Sequence, residues 1–154
     1  MSGASRSDDL LAIQATIQRY GQAVDSLRFE LFDDTFSADA ELDYRAAGGP
    51  CGSRDAIRDW LAASRKNLVQ WQHHLSPPMI ELDGASARAR TDVYTPNVYR
   101  DAEGRARVLH TGGRYHDELA RTPRGWRIVR RRYENTWVDG EGAGDMIPDP
   151  SRRS

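Results

Sequence analysis

The chain has 154 residues, 38% hydrophobic and 29% charged, with a formal net charge of −1, which points to one domain with a core of its own. That balance excludes a broad basic footprint for nucleic acid, and no apolar run approaches the ~20 residues of a bilayer span, so no membrane partner is expected. The first residues hold no apolar core, so no secretory leader is expected; the lone cysteine, Cys51, forms no internal disulfide and fits a reducing cytoplasm.

The first helix is predicted from a cap at Ser7, with Asp8 and Asp9 where the helix dipole favours negative charge. Leu10, Ile13, Ile17, Tyr20 and Val24 then recur at spacings of three and four and form one apolar stripe. Asp25 follows at about 100° from that stripe, on its edge. A short second helix is expected over 29–36 and a strand over 40–45, in which Leu42 and Tyr44 alternate with Glu41 and Asp43. Cys51 falls in the glycine-rich loop that follows. Ser53 caps a third helix that buries Ile57, Trp60 and Leu61 and ends near Leu68.

From Val69 the period becomes two. Val69, Trp71, His73 and Leu75 share one face, and His74 points to the other. Pro77-Pro78 bends this strand, Asp83-Gly84 is a hairpin signal, and long strands are expected over 85–99, 105–119 and 126–138. Gly112-Gly113 lies inside a strand and marks a bulge or a close backbone approach. Residues 1–6 and 140–154 are expected to be mobile tails of a single domain spanning 1–154. Three helices followed by long antiparallel strands define an α+β fold. The architecture expected is a cone-shaped α+β barrel, its three N-terminal helices packed on a strongly curved, mainly antiparallel sheet that encloses a pocket.

Two polar side chains are aimed at that interior, Asp25 from the helix and His73 from the strand. A carboxylate at a helix C-terminus opposes the dipole and calls for a partner, whereas His73 alone is equally a core histidine. Trp71 is expected as pocket wall. Arg131 shares a face with Val129, Tyr133 and Trp137, which aims its guanidinium at the cavity or its rim or leaves it exposed. Adjacent His73 and His74 on a strand cannot both reach one metal, and no phosphate loop or dinucleotide fingerprint is present. No metal or organic cofactor is therefore expected.

The stretches IQRYGQAVDSLRFELFDDTFSADAELDYR, GSRDAIRDWL, QHHLSPPMIELDG, GGRYHDEL and GWRIVRR resemble the SnoaL-like branch of the nuclear-transport-factor-two-like superfamily over roughly 8–137. The nearest likeness is to scytalone dehydratase, hexachlorocyclohexane dehydrochlorinase and bile-acid 7α-dehydratase, which eliminate water or HCl without a cofactor. The resemblance implies an Asp25–His73 acid–base dyad, with Tyr44 orienting a substrate carbonyl and Tyr20 matching a tyrosine of the bile-acid enzyme. Asn97 stands where scytalone dehydratase has a second histidine, and His110, one strand later, is a substitute. For the Asp–Arg–Asp set of limonene epoxide hydrolases, Asp92 is the one stand-in for the second aspartate.

The function implied is a cofactor-independent lyase, a dehydratase or related β-eliminase, acting on a small apolar cyclic molecule. A polyketide cyclase or isomerase with the same dyad, or a non-catalytic binding or assembly subunit with a filled cavity, are the alternatives. Arg88 and Arg90 on the outer sheet face suggest subunit contacts. A homo-oligomer is expected, a trimer before a dimer.

Overall fold

The computed structural model describes residues 5–140. The order is helix α1 (Arg6–Asp25), a 3₁₀ turn (Phe29–Leu31), α2 (Phe32–Thr35), strand β1 (Phe36–Asp43), β2 (Cys51–Ser53) and α3 (Arg54–Ser64). Strands β3 (Leu68–Trp71), β4 (His74–Leu75), β5 (Met79–Asp83), β6 (Ser86–Arg100), β7 (Ala106–Thr122) and β8 (Gly125–Asp139) complete it. The strands form one open sheet in the order β2-β1-β8-β7-β6-β3, with β4 and β5 also on β6. All pairs are antiparallel except β1 with β8. The fold is thus α+β with three helices on a curved, mainly antiparallel sheet, and the barrel is not closed.

Local chemistry explains where the elements begin. Ser5, not Ser7, caps α1: its hydroxyl accepts from the Asp8 N–H, and the Asp8 carboxylate accepts from the Ser5 N–H at 3.0 Å, a reciprocal capping box. Ser5 and Arg6 therefore belong to the helix and not to a tail, while 1–4 and 141–154, the remainder of the expected tails, lie outside the described residues. Asp9 does more than meet the dipole. It is buried, ion-paired with Arg121 and hydrogen-bonded to the Trp126 indole N–H at 3.1 Å, so it staples α1 to β7 and β8. Ser53 caps α3 as expected. Cys51 is exposed and opens β2 instead of lying in a loop.

The expected strand over 69–76 is divided in two. Trp71 pairs with Asn97 and His74 with Tyr94, so the gap at Gln72-His73 faces Thr95-Pro96. Proline has no N–H to give the ladder, and His73 turns its own N–H elsewhere. A further register shift between Leu68 and Gln70 leaves Val69 exposed.

Bulges at Gly112/Gly113 and Glu118/Leu119 bend the β7–β8 hairpin. The two glycines act on opposite faces. A Cβ on Gly112 would lie 2.0 Å from the Trp137 indole; one on Gly113 would lie 2.5 Å from the Tyr133 ring and 2.6 Å from the Glu134 carbonyl. Trp137 is 46% exposed and free to swing aside, whereas Tyr133 is buried. Gly113→Ala should therefore cost about 1–3 kcal/mol, the usual range for overpacking, and Gly112→Ala less than about 1 kcal/mol. Urea denaturation of the two variants checks the order.

Ile13, Ile17 and Val24 of α1, Ile57 and Leu61 of α3, and Phe36, Leu42, Leu119 and Ile128 of the sheet form the core. Along β6, burial alternates so that Ala87, Ala89, Thr91, Val93 and Thr95 face inward, and Arg88, Arg90 and Asp92 face outward. No helix among the described residues is long and apolar enough to cross a membrane.

Candidate active site

Between the helices and the wide end of the inner sheet face lies a cavity of about 240 Å³, at the small end of ligand sites. Tyr20 of α1, Tyr44, Trp60, His73, Asn97, Tyr115 and Tyr133 are among its lining residues. A groove of about 700 Å³ on the outer face is larger, but it is lined by the outward charges of β5 to β8 and does not include His73. There Arg130 and Glu41 pair at 3.3 Å.

His73 is held from two directions. Its Nδ1 lies 2.6 Å from Asp25 Oδ1, and its backbone N–H donates to Asp25 Oδ2 at 2.8 Å. One carboxylate at the end of α1 thus satisfies both the ring and the N–H that the Pro96 gap releases. Gly21, one turn back, brings the helix close enough: a Cβ there would lie 3.3 Å from the Leu75 side chain and 3.5 Å from His73 Cβ. With Nδ1 donating to the carboxylate, Nε2 keeps its lone pair for the cavity. The His73 side chain is only 5% exposed, against 25% for Asp25. Burial lowers the His73 pKa below 6.5; Asp25 opposes that shift, and the Arg65 and Arg131 charges add to it. The net shift favours the neutral imidazole.

The cavity floor is a cluster of tyrosines. The Tyr20 ring lies edge-on to His73 (5.8 Å between centroids) and to Tyr115 (5.3 Å), and Tyr44 stacks on Tyr133 at 6.2 Å. Burial raises the pKa of Tyr20, Tyr44 and Tyr115 well above 10, and pushes Tyr133 up to about 12. All four are neutral donors. The Tyr44 hydroxyl is buried without a well-formed hydrogen bond, although Tyr20 and Arg131 lie near enough to influence its ionisation. The Asn97 amide donates to the Thr95 carbonyl at 3.2 Å.

Three expected site residues do not line the cavity. Trp71 packs behind it, its indole N–H donating to the Val24 carbonyl at 3.2 Å under the Arg65 guanidinium. His110 points to the outer face, because it lies an odd number of residues from Tyr115; there its Nδ1 meets the Tyr94 hydroxyl at 2.7 Å. Arg131 is neither at the rim nor exposed. It is buried beneath the floor, bound through Nε and Nη2 to Asp117 at 2.7 Å each. Its guanidinium carbon is 4.1 Å from the Tyr115 centroid and 4.4 Å from that of Tyr20. Burial works against this charge, but Asp117 and the neighbouring tyrosines more than offset it and hold its pKa well above the usual arginine range. Asp92 cannot complete an Asp–Arg–Asp set, being outward and paired with Arg114 at 3.1 Å.

Tyr115, Tyr133, Trp60, Thr111 and Arg65 line the cavity without having been expected there. The signal for Tyr115 lay in alternation: Thr111, Gly113, Tyr115, Asp117 and Leu119 share a face of β7.

The family model for the SnoaL-like domain matches residues 5–132. An uncharacterized protein of Mycobacterium tuberculosis is 37% identical over 131 residues, covering 85% of this chain and 88% of its own. Among solved structures, a nuclear transport factor 2-like superfamily protein of Salmonella enterica superimposes with a TM-score of 0.71 at 26% identity, covering 91% of this chain and 99% of that one. A scytalone dehydratase-like protein of Novosphingobium aromaticivorans gives 0.75 at 21% identity, covering 94% of each chain. A hexachlorocyclohexane dehydrochlorinase gives 0.76 at 16%, covering 94% and 96%; these last two likenesses are of fold alone. The chain belongs to the SnoaL-like domain family, in the nuclear-transport-factor-2-like superfamily.

Proposed function

We propose that this protein is a cofactor-independent lyase that eliminates a leaving group from a small, cyclic, largely apolar molecule. The observation that carries the reading is the Asp25–His73 pair at 2.6 Å behind a cavity lined by His73. An empty cavity with a neutral, oriented imidazole on its wall supports an enzyme over an assembly module, whose cavity side chains would fill. The similarity in fold to a dehydratase-like protein and a dehydrochlorinase supports elimination among the possible reactions.

In the proposed step, His73 Nε2 takes a proton from carbon next to an electron-withdrawing group. The C–H bonding pair becomes the new C=C bond, and the leaving group departs with its own pair. Asp25 holds the Nδ1–H tautomer and stabilises the imidazolium that forms. Tyr44, Tyr20 and Asn97 are donors placed to stabilise a developing oxyanion or the leaving group. Their phenols, with raised pKa values, act as donors and not as bases.

Incubation with cyclic ketones and β-hydroxy ketones in D₂O tests this. Wild type should exchange the proton α to the carbonyl and release water with formation of an unsaturated product. Exchange with ring closure or a moved double bond, and no loss of water, would replace elimination by cyclisation or isomerisation. No exchange above the background of His73→Ala would refute the enzymatic reading.

A further inference from the structure

Among the lining residues of the cavity, Arg65 is the one permanent charge, and none is an aspartate or glutamate. Arg65 stands in the 3₁₀ turn (Arg65–Asn67) after α3. The stack of its guanidinium on Trp71, at 5.4 Å from the ring centroid, fixes its direction. Its Nε is buried and makes no hydrogen bond. The carboxylate beside His73, Asp25, is engaged by that residue's ring and backbone N–H. Arg65 is also close enough to His73 to depress its pKa, so cation and base act on the same space.

Arg65 is half-buried, and a cation on a cavity wall with no anion opposite it carries a desolvation cost. A bound group that accepts from its two terminal nitrogens offsets that cost. The planar fork of a guanidinium matches a carboxylate in this way. The rest of the polar wall consists of tyrosine and threonine hydroxyls, Ser64 and two asparagine amides, a set that suits acceptor oxygens.

We propose that the molecule taken into this cavity carries a carboxylate, which Arg65 binds while its ring lies against Trp60, Leu61, Leu68 and Leu109. The inference rests on the lyase reading of the cavity and narrows its substrate class to small cyclic acids. It gives Arg65 a binding role separate from the proton transfer at His73.

Calorimetric titration with two matched pairs, benzoate with benzamide and cyclohexanecarboxylate with its amide, tests the assignment without turnover. Wild type should bind at least one of the acids roughly ten-fold more tightly than its amide, with a preference that shrinks as salt is raised. Arg65→Gln should bring that ratio close to one, and Arg65→Lys, which keeps the charge but not the planar fork, should retain part of it. A wild-type protein with no preference for either acid, including one that binds neither pair, overturns the proposal. So does an Arg65→Gln variant that is folded and keeps the preference. The two readings separate cleanly. An acid preference that needs Arg65, with proton exchange indifferent to His73, leaves the anion site and removes the lyase. Exchange that needs His73, with no acid preference, does the reverse.

Discussion

Asp25→Asn should reduce proton exchange about as severely as His73→Ala, by roughly 10²–10⁴, the usual contribution of a positioned base. The two substitutions act differently. His73→Ala removes the base, whereas Asp25→Asn leaves the imidazole but misdirects it. Asp25 uses both oxygens, Oδ1 for the ring and Oδ2 for the His73 backbone N–H, and an asparagine has only one. If the amide oxygen serves the backbone, its NH₂ faces Nδ1. The ring then moves its proton to Nε2, and no lone pair meets the cavity. If the amide turns over, the buried backbone N–H loses its acceptor at a cost of about 1–3 kcal/mol.

The pH dependence follows from the same contacts. Burial holds the His73 pKa below 6.5, and Asp25 acts to raise it. Wild-type exchange should therefore be maximal above pH 6.5 and fall as pH drops through the lowered value. The unfolded chain binds that proton more readily than the fold does, so His73 also makes the fold lose stability as pH falls below about 6.5. Removing the Asp25 charge removes the opposing effect, so the His73 pKa in Asp25→Asn must go further down. Nitrogen NMR of the imidazole reads both tautomer and pKa without a substrate. A His73 pKa that rises in Asp25→Asn, or an Nδ1–H tautomer that survives with full exchange, would remove the basis for the dyad.

The helices and the succession of strands and turns along the chain were legible because each rests on local chemistry. The three-and-four spacing from Leu10 to Val24, the Ser53 cap, Asp83-Gly84 and the Pro77-Pro78 break all act within a few residues. The break inside the strand over 69–76 depends on a partner distant in sequence. The strand over 69–76 breaks at His73 because Pro96 lies opposite, 23 residues away. The cap at Ser5 was missed although the Ser–x–x–Asp spacing to Asp8 was present, because the equally suitable Ser7 is nearer the acidic pair.

The site divides in the same way. Asp25 and His73 were found because a helix edge and a strand face aim them at one interior, and the family frame placed them together. His110 could have been excluded by parity, five residues from Tyr115 on one strand. The depth of Arg131 could not be read at all. From the Pro123-Arg124-Gly125 turn, regular pairing would set Asp117 against Arg130. The bulge at Glu118/Leu119 moves the register by one, so that Asp117 meets Arg131. A one-residue shift exchanges the faces of a strand, and here it decides which arginine enters the core.

That buried pair carries the largest expected effect on stability. Arg131→Met should cost about 3–5 kcal/mol, the range for removing one partner of a buried ion pair, out of a total of about 5–15 kcal/mol for a domain of this kind. The cause is not chiefly the lost attraction. Asp117 is 2% exposed and its two oxygens accept from Nε and Nη2, so the variant strands a carboxylate with neither water nor a donor. The Tyr20 and Tyr115 rings that lie against the guanidinium also lose their cation. If stranding is the reason, removing both charges should cost much less than removing one. The double variant Asp117→Leu with Arg131→Met should recover most of the loss, because apolar replacements of a buried pair are often neutral or stabilising. Chemical denaturation of wild type, the two single variants and the double variant closes the cycle. Additive losses would mean that the pair stabilises the tyrosine floor through its charges and not through mutual satisfaction. In the double variant Tyr20, Tyr44 and Tyr115 also lose the Arg131 charge that lowers their pKa. Their phenols then become weaker donors to any oxyanion in the cavity. A stable double variant with slowed exchange would show that Arg131 polarises the floor as well as holding it.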